Sequence, residues 1–221
     1  MINNENILNT SDMLTFHGFF NERSNLGNVL LLLPKTRGPI GIKKFKEELE
    51  KKYNLMEYDD VTSEKSKAFN QLETISLKQK ALEINKALKK WKEINYHIIC
   101  HSTGCGLGTF LVKANKKSCK SLIFINPWNK TDEDFKIAQE KRVENAKNLN
   151  IISFLKSECH LLYSANYLKK FHYQFCDYIQ KQKNNKINTS FMEKRLNSIL
   201  DCNLGKELRN LDVPKLIINA I

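Results

Sequence analysis

The 221-residue sequence predicts an α/β fold, a mostly parallel, doubly wound sheet into which a helical cap is inserted. Three observations predict it. Short apolar runs alternate with amphipathic helical stripes as far as about residue 128, and a glycine-rich turn joins one such run to a helix at 100–106. Positions 129–210 then carry long charged segments with helical stripes and no strand pattern, before an apolar run resumes at 214–221.

The first strand candidate is Val29-Leu30-Leu31-Leu32-Leu33, closed by Pro34 and a Pro/Gly segment that runs through Gly38 and Pro39. An uninterrupted apolar run of this length suits a strand covered on both faces, hence a central one. Ile42, Phe45, Leu49 and Tyr53 recur at three- and four-residue intervals and mark one apolar stripe of a helix, after which Leu55-Met56-Glu57-Tyr58 is strand-like. Ser76 and Gln79 have capping-box spacing, and Leu77, Ala81, Ile84, Leu88 and Trp91 extend the next helical stripe. Tyr96-His97-Ile98-Ile99-Cys100 reads as a strand, followed by a glycine-rich turn and a helix through Phe110, Leu111 and Ala114. Ser121-Leu122-Ile123-Phe124-Ile125 is another buried strand, ending at Asn126-Pro127. The boundaries that follow are a core over 1–128, a helical cap or lid over 129–210, and a return to the core sheet over 211–221. At that point the sheet pattern stops, so the last strand or strands of such a fold are expected to be missing.

Composition narrows the class. Apolar residues make up 41% and aromatics 10%, within the range of folded soluble chains. The formal charge of +12 is dispersed: Lys43, Lys44, Lys46, Lys51 and Lys52 alternate with Glu47, Glu48 and Glu50, which suits solvated helix faces. No aromatic-interleaved basic patch accompanies the charge, so no nucleic-acid partner is expected. The six cysteines (Cys100, Cys105, Cys119, Cys159, Cys176, Cys202) contain no C-x-x-C pair, so neither a zinc site nor any other metal or cofactor is expected. Reduced thiols and a start without a basic and then apolar leader point to a cytoplasmic location. The longest apolar run is too short to span a bilayer, so no transmembrane segment is expected.

Chemistry concentrates at Cys100-His101-Ser102-Thr103-Gly104, between a strand and a helix. Such a turn exposes the serine hydroxyl on a sharp bend, and the residues two before and two after it must be small to avoid a clash across the bend. Cys100 and Gly104 satisfy this. The pattern resembles the nucleophile elbow of the α/β-hydrolase family, whose G-x-S-x-G becomes Cys-His-Ser-Thr-Gly here. His101 before the serine, with Gly104 and Gly106 after it, is similar to the G-H-S-x-G-G form, and the first glycine is the departure. The likeness covers about 14–221 and is strongest at the elbow.

The resemblance implies a serine hydrolase of a carboxylic ester, lipid ester or thioester, with Ser102 as the nucleophile that forms an acyl-enzyme. It implies Thr103 N–H as one oxyanion donor, the other coming from the loop after the Val29 strand, where Lys35 or Thr36 supplies the N–H because Pro34 has none. In the family the acid and then the histidine follow strands matched here by 216–221 and beyond, and neither position exists in this sequence. Asp132 or Asp134 as acid, with His160 or His172 reaching in from the cap, are the substitutes within the chain. His97 is expected in a core or inter-strand role. Trp128 and the insertion's Tyr163, Tyr167, Phe171, Tyr173 and Phe175 either line an acyl pocket or form ordinary core. The alternatives are a C-terminally incomplete serine hydrolase, a non-catalytic hydrolase-like binding protein without the triad acid and histidine, and a basic surface-binding module.

Overall fold

The computed structural model describes residues 5–9, 15–19, 26–34, 42–58, 76–90, 94–183, 189–200 and 202–219. Seven strands form one sheet in the order β1-β2-β4-β3-β5-β6-β7: β1 Glu5–Asn9, β2 Thr15–Phe19, β3 Asn28–Leu32, β4 Asn54–Tyr58, β5 Tyr96–His101, β6 Cys119–Ile125 and β7 Lys215–Ile218. From β4 to β7 every pairing is parallel, while β1 and β2 attach antiparallel on the β4 side. The doubly wound parallel sheet is therefore present, extended by two strands that the sequence pattern does not signal.

Alternation along the parallel strands builds two cores. Leu30, Leu32, Met56, Tyr58, Ile98, Cys100, Leu122 and Phe124 face one side, where they pack on α2 (Leu77–Lys90) and α3 (Thr103–Ala114) through Leu77, Ala81, Ile84, Leu107 and Leu111. Val29, Leu31, Leu33, Leu55 and Ile99 face the other side, where α1 (Ile42–Glu50) covers them with Ile42 and Leu49. This two-sided cover explains why β3 reads as a continuous apolar run. The capping box forms as expected: Ser76 N–H donates to Gln79 Oε1 (3.0 Å) and Gln79 N–H to Ser76 Oγ (3.2 Å).

The chain leaves β3 for β4 through α1 on one face and returns over β3 to β5 through α2 on the other. Right-handed crossovers in opposite directions put helices on opposite faces and leave a crevice at the carboxyl ends of β3 and β5, the usual ligand position in such sheets. Over that end lies the cap: α4 Glu133–Asn148, α5 Ile151–Leu162, α6 Ala165–Lys170, α7 His172–Lys183 and α8 Thr189–Leu200, with α9 Gly205–Arg209 after it. The cap has its own apolar cluster, including Val143, Phe154, Leu155, Phe175, Met192, Leu196 and Ile199. Tyr163, Tyr167 and Phe171 pack on this cluster, whereas Tyr173 is exposed, so the cap aromatics are mainly core. Trp128 touches both the sheet-side and cap clusters. Cys202, Leu204 and Leu211 already pack with the sheet-side core, ahead of β7. All six cysteines are unpaired, and all but Cys176 are buried. Among the described residues no helix is long and apolar enough to cross a membrane.

Candidate active site

Ser102 stands at the carboxyl end of β5, where the chain turns directly into α3. Its backbone adopts φ 50° and ψ −119°, a conformation that L-residues rarely take. Neighbouring strands hold the turn: Ser102 N–H donates to the Ile125 carbonyl at the end of β6 (3.0 Å), and Cys105 N–H to the Ser102 carbonyl (2.8 Å). Serine is a good helix N-cap, yet the Ser102 hydroxyl makes no capping hydrogen bond here. Its Oγ is left unused by the helix.

The small residues of the turn are small for identifiable reasons. A Cβ on Gly104 would stand 1.7 Å from the Leu32 carbonyl oxygen, so α3 can start this close to β3 only with glycine. On Gly106 it would meet Leu77 Cδ1 at 2.7 Å, where α2 packs against α3. Cys100 is fully buried, with its thiol donating to the Ile123 carbonyl (3.1 Å). Burial, reinforced by the hydrogen bond with Cys105, holds the Cys100 thiol well above the ordinary thiol range, so it is protonated and inert. Gly108 is the residue that sequence reasoning missed. A Cβ there would lie 3.2 Å from Cys100 Sγ, so Gly108 makes room for the cysteine that occupies the elbow's first small position. Its signal was the Gly104, Gly106, Gly108 spacing, which puts a glycine at every second residue of the helix start.

Thr103 is the first residue of α3, and the N–H groups of a first helical turn have no intrahelical acceptor. Thr103 and Gly104 line a cavity of about 30 Å³ together with Leu33 and Pro34 from the end of β3 and Tyr58 from the end of β4. From the cap, Arg142, Phe154, Glu158, Met192, Arg195, Leu196, Ser198 and Ile199 close it. Pro34 thus opens its loop directly beside the elbow. Lys35 and Thr36, the expected second oxyanion donors, lie outside the described residues.

The acid and base candidates are placed elsewhere. Asp132 is the N-cap of α4, its carboxylate accepting from Phe135 N–H (3.0 Å), and Asp134 lies in the exposed first turn of the same helix. His172 begins α7 on an exposed face with Nε2 3.6 Å from Cys176 Sγ, and His160 is exposed on α5. Among the described residues neither Asp132 nor His172 bonds to the other or to Ser102. His97 takes the inter-strand role, Nδ1 lying 2.7 Å from Ser121 Oγ across the β5–β6 pair. His101 is half-buried at the end of β5. Among the described residues no cluster of His, Cys, Asp and Glu could hold a metal ion.

No protein-family model matches the chain, and no curated protein matches it. Solved structures do. The chain is similar to an enol-lactonase from Burkholderia xenovorans LB400 (TM-score 0.76, 13% identity, covering 93% of this chain and 77% of that one). It is also similar to a structure described among the carboxylesterases of Nitrososphaera gargenis (TM-score 0.75, 14% identity, 97% and 79%). A third is MGS-M2, an alpha/beta hydrolase from a deep-sea metagenome library (TM-score 0.73, 18% identity, 96% and 78%). With its parallel β4-β3-β5-β6-β7 sheet, the strained serine between β5 and α3 and these structural neighbours, the chain has the α/β-hydrolase fold.

Proposed function

We propose that this protein is a serine hydrolase acting on a small acyl ester or thioester, with Ser102 as its nucleophile. The observation that carries the reading is the backbone of Ser102: a φ of 50° costs energy and is maintained by Gly104, the β6 carbonyl and the β5–α3 junction together. A serine held this way with its hydroxyl uncommitted to the helix suits attack on an acyl carbon. The names of the structural neighbours, an enol-lactonase and carboxylesterases among them, agree with acyl chemistry.

In the proposed reaction Ser102 Oγ adds to the acyl carbon as its proton passes to a base. Thr103 N–H, joined by an N–H of Lys35 or Thr36, stabilises the oxyanion. The alcohol or thiol leaves with a proton, and water then attacks the acyl-enzyme to release the acid and restore the hydroxyl. Cys100, His101, Gly104 and Gly106 shape the elbow and take no proton. The base is the part that the described residues do not supply. Among the described residues Asp132 is engaged by Phe135 N–H and His172 lies beside Cys176, neither bonded to Ser102.

The lack of a base bonded to Ser102 among the described residues favours a second reading, a non-catalytic hydrolase-like protein that binds a small ligand beneath the cap. Incubation with a fluorophosphonate probe and intact mass measurement separate the two. The proposed activity predicts a single adduct that is absent from Ser102→Ala. A folded protein that stays unlabelled at millimolar probe refutes it and favours the binding role.

A further inference from the structure

Strained backbone persists only where the surrounding structure holds it, and such residues gather at active sites and ligand sites. Among the described residues two other than glycine have a positive φ, Ser102 at 50° and Asn126 at 47°. They are neighbours. His101 and Ile125 pair across β5 and β6, so the residues that follow them, Ser102 and Asn126, leave the sheet side by side at its carboxyl end. Hydrogen bonds run across this end from strand to strand: Ser102 N–H donates to the Ile125 carbonyl (3.0 Å), and Asn126 N–H to the Ile218 carbonyl of β7 (2.8 Å). Adjacent strands lie about 4.8 Å apart, so Asn126 starts one strand spacing from the serine.

The conformation at Asn126 has a plain local use. It turns the chain out of β6 into Pro127 and Trp128, and asparagine tolerates the left-handed region better than most residues. Glycine would make the same turn without strain. What glycine lacks is a carboxamide, and Asn126 is exposed at the end of the sheet where Ser102 stands. Asn126 also has an interaction of its own within the chain. A carboxamide carries two N–H donors and an oxygen with two lone pairs, so one partner leaves capacity for another.

Sheet order separates the two sides of Ser102. Thr103 lines its cavity with Leu33 and Pro34, which follow β3, so the oxyanion donors of the proposed reaction belong to the β3 side of β5. β6 is the neighbour of β5 on the other side. We propose that Asn126 contacts the substrate there, its Nδ2–H donating to the departing oxygen of an ester. As Ser102 Oγ bonds to the acyl carbon and the bond to the departing oxygen breaks, the electron pair of that bond goes to this oxygen. The oxygen takes the proton that Ser102 gave up to the base, while Asn126 keeps its own and steadies the developing charge from a fixed position. A thioester's sulfur is a weak acceptor and gains little from the same donor. The substrate class is thereby narrowed to oxygen esters. This rests on the reading of Ser102 as nucleophile.

The test compares phenyl acetate with S-phenyl thioacetate on the full chain, following release of phenol and thiophenol, with fluorophosphonate labelling as a separate report on Ser102. Asn126→Gly keeps the backbone and removes the carboxamide. It should lower kcat for the oxygen ester about tenfold or more and for the thioester less than about twofold, with KM little changed and Tm no lower than the parent's. Asn126→Asp, similar in shape but without the N–H donors, should lose the oxygen-ester rate likewise, and it decides by the same ratio if Asn126→Gly does not fold. Equal losses for the two substrates, or no loss, would overturn the contact and leave Asn126 as a turn residue. A labelled parent that cleaves neither substrate would overturn the contact and keep Ser102 as nucleophile. A parent that is neither labelled nor active would overturn both.

Discussion

Three glycines and one cysteine around Ser102 show how single atoms set this turn. A methyl group on Gly104 would collide with backbone, which cannot rotate away, so Gly104→Ala should cost about 3 kcal/mol or more, measured by urea unfolding. Gly108 is a subtler case. Alanine inside a helix gains about 1 kcal/mol over glycine, but here the added methyl would press on Cys100 Sγ at 3.2 Å and Leu122 Cδ1 at 3.3 Å. The helix gain and the crowding nearly cancel, so Gly108→Ala alone should change stability little. Combined with Cys100→Ala it should show a favourable coupling of about 0.5–1 kcal/mol in a double-mutant cycle. Additivity would mean that the two residues do not compensate. The elbow's outer residues were legible in the sequence because their smallness is a local demand of the bend. Gly108 was not, since its reason lies in a side chain eight residues back that becomes a neighbour only once β5 and α3 fold together.

At the scale of elements, the Arg142–Glu158 pair ties α4 to α5 inside the cap. Removing one partner leaves a buried charge, so Glu158→Leu should cost about 3–5 kcal/mol, whereas Arg142→Met with Glu158→Leu should recover most of that loss in urea unfolding. If the double variant is no more stable than the single one, the loss is one of packing and not of charge. The same scale decides which elements the sequence revealed. β3 and β5 are buried on both faces, β6 is buried on one and half-buried on the other, and α2 carries a full capping box, so pattern alone located them. β1 and β2 escaped because Glu-Asn-Ile-Leu-Asn and Thr-Phe-His-Gly-Phe are short, mixed in polarity and, in β2, interrupted by glycine. Their place is set by pairing with β4, a long-range fact that no local window contains. The cations that line the cavity beside Thr103 gave no signal either: Lys80, Arg142 and Arg195 come from three separate helices and meet only in the fold.

For the molecule as a whole, buried thiols set an alkaline limit, Cys100 and Cys159 being raised by burial as well as Cys119 and Cys202. Burial raises Cys119 and Cys202 to about 11 from an ordinary 9.0. Both stay protonated in the folded chain between pH 9 and 11 while the unfolded chain ionises, so the folded state binds more protons there and stability falls as pH rises across that window. The urea midpoint should hold steady from pH 7 to 8.5 and decline above 9, and Cys202→Ala should flatten the decline. An unchanged slope in that variant would remove Cys202 from the account. The surface charge is less consequential: Lys43, Lys86, Lys141 and Lys181 pair with carboxylates three or four residues away on their own helices, and Lys51 just past α1 pairs back to Glu48, in keeping with solvated faces. Among the described residues β7 is the outermost strand on the side of the sheet away from β1, and its Leu216, Ile217 and Ile218 are all about half exposed. Apolar side chains beside a row of unpaired peptide groups make a template on which another strand can grow. For the 221-residue chain, turbidity should therefore rise with protein concentration below the melting point, and Ile217→Lys should suppress it.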